Sequence, residues 1–395
     1  MISAVVLLTM FCWNPATRHH AVPGELSVEA RLDGFPEEVR YFPRDPGDIK
    51  LMEKEFVDSW LKEKDLLKAQ QLPPAYYLAL SGGGDKGAFG AGFLNGWAAA
   101  GTRPTFKLVT GVSTGALIAP FAFLGADYDK NLRALYTGVS QKDIAAKRFF
   151  YSVFLQDGMA DTSPLAKLLA AHVTQEMLDA IAAEYAKGRM LFIGTTNLDA
   201  RRSVVWNVTK IAASHRPEAI DVVRRILLAS AAIPGAFPPV MFDVEARGKK
   251  YQEMHVDGGA TTQVFVYWAG VRLGELARQN GAVRERKIYI IVNARLDPEW
   301  GEVERRTLPI TFKAIETLLQ YQAFGDLYRI YSITQRDGTD FNLAFIPNDF
   351  KVVHKEDFDP EFMKELYKFG YNEAMSGYSW MKQPPMQVQP GQASE

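Results

Sequence analysis

The chain has 395 residues, of which 47% are hydrophobic and 23% are charged, and this balance is typical of a globular protein rather than of a disordered chain. The 45 lysines and arginines are offset by 46 aspartates and glutamates. Without an excess of basic residues, we expect no nucleic-acid partner. The single cysteine, Cys12, excludes an intrachain disulfide and a cysteine-based zinc site.

The first 13 residues carry no charge and are almost entirely apolar. They are too few to span a bilayer, which takes about 20 apolar residues, and no basic segment precedes them as in a complete export signal. Two interpretations remain: residues 1–20 are a clipped export signal, or the apolar residues are a short arm. Lipid modification of Cys12 is disfavoured because the preceding Phe11 is bulky.

Residues 21–75 are predicted to form an N-terminal extension of the main domain. Four prolines between positions 17 and 47 indicate an extended segment. Residues 48–71 then combine apolar and charged side chains at helical spacing, which predicts an amphipathic helix. Pro73 and Pro74 end this helix.

An alternation of short apolar runs, glycine turns and helices begins at Tyr76. Strands are predicted at 76–80 and 106–110, with helices following at 88–100 and 116–124, and this order is the signature of a parallel α/β sheet. Further strands are predicted at 190–195, 203–208, 254–256 and 287–293. Further helices are predicted from 163 to about 187 and at 217–231, and long helices at 308–334 and 360–380. A Pro/Gln-rich tail from about residue 383 is predicted to be disordered.

The sequence S-G-G-G-D-K-G, from Ser81 to Gly87, lies between a predicted strand and a predicted helix. Glycines at such a turn bring backbone N–H groups close to a ligand, and the helix N-terminus favours negative charge. The loop therefore suits an anion, either a phosphate or a transient oxyanion. A dinucleotide-binding interpretation needs an acidic residue at the end of the second strand, which has none, and a phosphate-binding P-loop lacks its G-K-[ST] ending.

The sequence Gly111-Val112-Ser113-Thr114-Gly115 matches the G-x-S-x-G pattern of a nucleophile elbow. It stands between an apolar strand and a helix of small residues, where a sharp turn exposes the serine hydroxyl. A serine hydroxyl is a weak nucleophile and needs a base beside it.

Asp257, followed by Gly258 and Gly259, is the candidate base, since a carboxylate at the end of a short strand reaches the ligand-binding edge of a sheet. Partial desolvation would have to raise its basicity. His255, two residues earlier, is interpreted as a structural histidine. The alternative is a Ser113, Asp257, His354 triad, which has the chain order of the α/β-hydrolases.

Three motifs stand in order: GGGDKG at 82–87, GVSTG at 111–115 and DGG at 257–259. Together they resemble the patatin-like phospholipase family, and the resemblance is to its bacterial acyl hydrolases. The run A-S-A-A-I-P-G-A-F-P-P at 229–239 is similar to the family as well. The resemblance covers about residues 76–270 and implies a three-layer α/β fold with a central, mostly parallel sheet flanked by helices. Residues 76–270 would then be the catalytic domain, and residues 271–395 would complete its sheet and helices.

The resemblance implies a serine lipid acyl hydrolase of the phospholipase A or lysophospholipase type, with a Ser–Asp dyad and no metal or organic cofactor. Ser113 would be the nucleophile and Asp257 the base. Backbone amides would form the oxyanion hole, at Gly82, Gly83, Gly84, Asp85, Lys86 and Gly87. The supporting glycines of the motifs would be Gly111, Gly115, Gly258 and Gly259.

One stretch departs from the family pattern. After D-G-G the family usually has an Asn and a Pro, whereas this chain has Thr262, Gln263, Val264 and Phe265. We expect this departure to change the local wall of the site and not the dyad.

The expected partners are a lipid or phospholipid substrate and a peripheral membrane surface. A basic and aromatic cluster, formed by residues 147–151 and Phe154, is the candidate contact with that surface. An exported or membrane-associated protein of a bacterial periplasm or envelope is the favoured location, with a cytoplasmic one as the alternative.

Overall fold

The structure is a computed structural model that describes residues 18, 20–144, 146–147, 158, 160–298 and 300–385. Most of the predicted export signal, including Cys12, lies outside this part of the chain, as do most of the basic and aromatic cluster and the last ten residues of the predicted tail. Among the described residues, no helix has both the length and the apolar character needed to cross a membrane.

Ten strands of the described chain form one sheet, and β5 and β6 pair separately. The strands are β1 (Arg31–Leu32), β2 (Arg40–Tyr41), β3 (Ala75–Leu80), β4 (Leu108–Val112), β5 (Ala146–Lys147), β6 (Ala160–Asp161), β7 (Met190–Asn197), β8 (Arg202–Asn207), β9 (Val240–Ala246), β10 (Lys249–Asp257), β11 (Arg286–Val292) and β12 (Asp340–Phe345). The order of the sheet is β1-β9-β10-β7-β4-β3-β11-β12, and β8 pairs with β7 and β2.

Helices cover both faces of this sheet. They are α1 (Pro46–Leu67), α2 (Gly87–Ala99), α3 (Thr114–Leu124), α4 (Asp129–Thr137), α5 (Gln141–Ile144), α6 (Ser163–His172), α7 (Gln175–Ala186), α8 (Val208–Ala212), α9 (Ala219–Ser230), α10 (Leu273–Gln279), α11 (Thr307–Asp337) and α12 (Pro360–Met375).

The centre of the sheet is parallel: β7, β4, β3, β11 and β12 run in the same direction. The strands beyond β7 are antiparallel to their neighbours. The expected fold class, a mostly parallel central sheet flanked by helices, is confirmed. The wholly parallel centre explains why its strands read as continuous apolar runs, since both faces of such strands are buried.

Two apolar cores lie on opposite faces of the sheet. Along β3, Leu78 and Leu80 enter the core that contains α2, α3 and α12, whereas Tyr77 and Ala79 enter the core that contains α1, α10 and α11. Successive side chains of a strand point to opposite faces, so one short strand contributes to both cores.

The sequence did not predict β12 or most of the β9–β10 hairpin. Only residues 254–256 were expected to form a strand, whereas β10 runs from Lys249 to Asp257 and pairs along its length with β9. Both strands carry many polar residues because part of the hairpin faces solvent. In this partly exposed region the apolar signal of the sequence is weak.

Candidate active site

The ends of β4 and β10 meet along one edge of β7, and this meeting brings Ser113 to Asp257. β4 runs parallel to β7 and ends with Val112 opposite Gly194. β10 runs antiparallel to β7 and ends with Asp257 opposite Thr195. Because the two strands approach each other head-on, the residues at their ends lie side by side. The Ser113 side chain therefore lies beside the Asp257 carboxylate, and its interaction with that carboxylate lowers the pKa of Asp257.

Ser113 stands in a strained turn between β4 and α3, with φ 54° and ψ −126°. Such backbone angles are rare for a residue with a side chain and cluster at functional sites. Its N–H donates to Ser230 Oγ (2.9 Å), whose own hydroxyl donates to the Gly194 carbonyl (2.7 Å). The last residue of α9 thereby fixes the turn.

The glycines of the elbow are required by close backbone approach. A Cβ at Gly111 would lie 2.4 Å from the Gly115 carbonyl oxygen, and a Cβ at Gly115 would lie 2.3 Å from that of Leu80. Both distances are far shorter than van der Waals contact. The two glycines of the G-x-S-x-G pattern are thus required because any side chain at these positions would clash with the backbone, as in a nucleophile elbow.

Asp257 is a buried carboxyl group with 5% of its surface exposed. Burial raises the pKa of Asp257 to about 7, while hydrogen bonds from the Ser113 side chain and the Gly259 N–H oppose the rise. The Gly259 bond is 2.7 Å long. A carboxylate with a pKa near neutrality is suited to accept a proton at physiological pH.

The glycine loop passes beside Ser113 and adopts backbone angles that favour glycine, with φ +155° at Gly83 and +59° at Gly84. The Gly82 N–H, one of the predicted oxyanion donors, donates to the Gln263 carbonyl (3.1 Å). The predicted donors Lys86 and Gly87 are also engaged, since the Lys86 N–H donates to the Gly83 carbonyl (3.2 Å) and the Gly87 N–H to the carbonyls of Gly84 and Asp85. An oxyanion would therefore have to be held by the amides of Gly83, Gly84 and Asp85. Gly84 lines the same cavity as Ser113.

Asp85 uses its side chain in a way that the sequence did not indicate. Its buried carboxylate accepts hydrogen bonds from His354 Nε2 (2.7 Å) and from the Phe358 N–H (2.8 Å). The hydrogen bond to Asp85 raises the pKa of His354. The structure therefore pairs His354 with the glycine loop and not with Asp257, and the alternative Ser–Asp–His triad is not assembled.

His255 is a fully buried structural histidine, as the sequence predicted. Its Nδ1 lies 2.9 Å from Thr195 Oγ1 and its Nε2 lies 3.1 Å from the Glu253 carboxylate. Trp206 Nε1 donates to the same threonine hydroxyl, so the hydroxyl proton is directed at His255 Nδ1. Glu253 is in turn held by the buried Arg40 (2.6 Å). This network stiffens β10 behind Asp257.

A narrow apolar cavity opens beside Ser113. Aliphatic and aromatic side chains from five helices and from the segment after β12 form most of its wall. The lining residues are Gly84, Ser113, Thr114, Leu117, Leu135, Tyr136, Val139, Ile144, Leu165, Leu168, Leu169, Ala231, Ile233, Phe237, Phe358 and Met363. Such a cavity suits a hydrocarbon chain.

The described residues give less support to a metal site or a dinucleotide-binding site. No group of three or more His, Cys, Asp or Glu side chains is placed to hold a metal ion in the described part of the chain. β4 ends at Val112 without the acidic residue that a dinucleotide ribose requires.

Comparison with protein-family models matches residues 78–266 to the patatin-like phospholipases. The chain therefore carries a patatin-like phospholipase domain. The resemblance drawn from the three motifs is confirmed, and this patatin-like domain contains Ser113, Asp257 and the whole glycine loop.

Among solved structures, the chain is similar to VipD from Legionella pneumophila, with 15% identity and a TM-score of 0.36 over 76% of this chain and 66% of that one. It is also similar to the complex of SpcU with ExoU from Pseudomonas aeruginosa, with 13% identity and a TM-score of 0.31 over 78% of this chain and 52% of the other. The chain thus spans less than two thirds of the length of these proteins. The comparison with curated proteins finds no match.

Sequence reasoning missed several residues that hold the patatin-like site in place. Ser230 carried a signal, since it lies in the family-like run at 229–239, but its bond to Ser113 joins positions 117 residues apart. Asn293, just after β11, donates its backbone N–H to Ser81 Oγ (2.8 Å) and its Nδ2–H to the Ser81 carbonyl (2.9 Å). No local sequence pattern predicts hydrogen bonds between residues so far apart in the chain.

Proposed function

We propose that the protein is a serine lipid acyl hydrolase of the phospholipase A or lysophospholipase type, in which Ser113 and Asp257 act as a dyad. The observation that carries this proposal is that Ser113, which lines an apolar cavity, is brought next to the buried Asp257 carboxylate by the meeting ends of β4 and β10. The cavity would hold the fatty acyl chain, so that the ester carbonyl lies at Ser113.

In the first half of the reaction, Asp257 takes the Ser113 hydroxyl proton while Oγ attacks the carbonyl carbon of the ester. The electron pair of the carbonyl moves onto its oxygen, and N–H groups of the glycine loop from Gly83 to Asp85 stabilise that charge. Losing one such donor costs about 3 kcal/mol in comparable hydrolases. Collapse expels the alcohol, which takes the proton from Asp257 and leaves an acyl ester on Ser113.

In the second half, Asp257 takes a proton from water, and the resulting hydroxide attacks the acyl ester. Collapse releases the fatty acid, and the proton returns to Ser113. The pKa of Asp257, raised to about 7 by burial, makes this carboxylate a stronger base than an exposed aspartate. Each step uses only side chains and amides of this chain, and we propose no cofactor.

A lipid substrate implies that the protein works at a peripheral membrane surface. The basic and aromatic cluster expected to make this contact lies mostly outside the described residues. The membrane contact therefore stays a prediction.

A panel of phospholipids, lysophospholipids and neutral lipids, scored for released fatty acid, tests the proposed function. We expect wild type to release fatty acid from at least one class and Ser113→Ala to release none. Ser376→Ala, at the exposed end of α12, is the matched control and should behave as wild type. Equal activity of wild type and Ser113→Ala would refute the proposal.

A further inference from the structure

Gln263 lies between the two loops that the proposed reaction needs. Its carbonyl accepts the Gly82 N–H at the start of the glycine loop. Its side chain, 8% exposed, reaches the loop that follows Asp257, where Nε2 lies 3.4 Å from the Gly259 carbonyl oxygen. One residue therefore contacts both the loop of the oxyanion donors and the loop of the base.

The fit around the Gln263 amide group is close. A Cβ at Gly82 would lie 2.7 Å from Gln263 Oε1, and a Cβ at Gly259 would lie 2.5 Å from Gln263 Nε2. The same Cβ position at Gly259 lies 3.0 Å from Asp257 Oδ1, so the amide and the catalytic carboxylate are close neighbours. The two glycines thus leave a space that the glutamine side chain fills.

Gln263 is fixed from its other side by Asp326 of α11. The Asp326 carboxylate, 1% exposed, accepts the backbone N–H groups of Gln263 (2.7 Å) and Val264 (3.4 Å). Arg329 holds the second oxygen of this carboxylate. A buried carboxylate that satisfies two backbone donors is costly to remove, because both donors lose their partner. Asp326 lies 63 residues after Gln263 and outside the matched domain.

We propose that Gln263 and Asp326 are positioning residues: Asp326 fixes the turn at Gln263, and Gln263 holds the glycine loop and the Asp257 loop at the separation that the reaction needs. This inference rests on the proposed function. It also gives the long helix α11 a role in that function.

Steady-state kinetics on a soluble short-chain ester test the role of the Gln263 side chain. Gln263→Ala keeps the backbone bond to Gly82 but empties the space between the loops. Because small misplacements of catalytic groups reduce turnover strongly, we expect kcat to fall about 10- to 100-fold while KM stays within about twofold. Unchanged kcat would overturn the inference.

A pH profile separates this role from simple packing. Gln263→Glu keeps the shape of the side chain and places a second carboxyl group beside Asp257. A like charge there disfavours ionisation of Asp257, so the acidic limb of the kcat/KM profile should move to higher pH. Gln279→Glu, at the exposed end of α10, adds the same charge far from this loop and should leave the acidic limb of the kcat/KM profile at the wild-type pH. If the acidic limb of Gln263→Glu lay at the same pH as in wild type, the proposed closeness of this side chain to Asp257 would be contradicted.

Variants of α11 test the role of Asp326. Asp326→Ala should lower kcat more than Asp326→Asn, which keeps one acceptor oxygen for the two N–H groups. Leu327→Ala removes a buried side chain from the same helix without touching Gln263, and well below its melting temperature it should keep wild-type kcat. Equal kcat in Asp326→Ala and Leu327→Ala would refute a positioning role. A wild type with no esterase activity would overturn the proposed function as well, whereas an active wild type with insensitive variants would overturn this inference alone.

Discussion

At the scale of single residues, the proposed chemistry depends on one carboxyl group whose burial is unfavourable for the fold. Burial raises the pKa of Asp257, so its charged form is less stable in the folded protein than in the unfolded chain. The strained backbone of Ser113 adds a second local cost. Sites that combine such features exchange stability for reactivity.

The pH dependence of stability follows from the raised pKa of Asp257. The folded state keeps the proton to about pH 7, whereas the unfolded chain releases it near pH 4, so this group destabilises the fold progressively as pH rises between these values. Asp257→Asn removes the charge. We expect it to be more stable than wild type at pH 8, on the order of 1–4 kcal/mol, and the difference to vanish near pH 4.

Chemical denaturation of wild type and Asp257→Asn at both pH values checks this expectation. Asp127→Asn, with an exposed carboxyl group just before α4, provides a comparison for a general charge effect. A constant difference between wild type and Asp257→Asn across the range would show that the carboxyl group is not buried as described.

At the scale of elements, the sequence predicted the local turns well and the contacts between distant segments poorly. The loop at 82–87 and the elbow at Ser113 are local: their glycines and flanking strands are neighbours in the chain. The pairing of Asp85 with His354 joins residues 269 positions apart, and no spacing rule indicates it. The same reason explains why the contacts of Gln263 with Asp326 were missed.

The Asp85–His354 contact gives a prediction that separates a dyad from a triad. Because His354 is bonded to Asp85 and not to Asp257, we expect His354→Ala to keep kcat within about tenfold of wild type, whereas loss of a triad histidine costs several orders of magnitude. Turnover on a soluble ester measures this, with the exposed His20→Ala as control. A thousandfold or greater loss of kcat in His354→Ala would instead favour the Ser113, Asp257, His354 triad.

The same variant should reveal the titration of His354. Its hydrogen bond to Asp85 raises the pKa of His354, so the stabilisation is present at pH values below the ordinary histidine pKa and is lost as pH rises through the higher folded value. His354→Ala should therefore lower the melting temperature more at pH 5.5 than at pH 9. An equal effect at both pH values would contradict the ion pair.

At the scale of the whole molecule, the matched domain makes sheet and loop contacts with the C-terminal part of the chain, so we expect that it does not fold alone. β11 pairs with both β3 and β12, and Asn293 after β11 fastens Ser81 at the start of the glycine loop. All of these partners of β3 and the loop lie after residue 266, where the family match ends. Sequence motifs pointed to the proposed catalytic residues but gave no measure of this dependence on the C-terminal part.

Truncation tests this dependence. A chain ending at Gly270 loses β11, β12, α10, α11 and α12, so β3 becomes an edge strand that pairs only with β4, and both apolar cores are opened. We expect it to be unfolded or aggregated and inactive by circular dichroism and esterase assay. A chain ending at Pro385 keeps every described element and is the control. A folded, active chain ending at Gly270 would show that the C-terminal part is dispensable.

The central claim, that Asp257 activates Ser113, is tested most directly by the rate at which a fluorophosphonate probe labels Ser113 as a function of pH. In wild type we expect a single adduct on Ser113, at a rate that rises with pH through about 7 as Asp257 loses its proton. In Asp257→Asn we expect the rate to fall by orders of magnitude and to lose this pH dependence. Labelling of Asp257→Asn at the wild-type rate, or at a residue other than Ser113, would contradict the account.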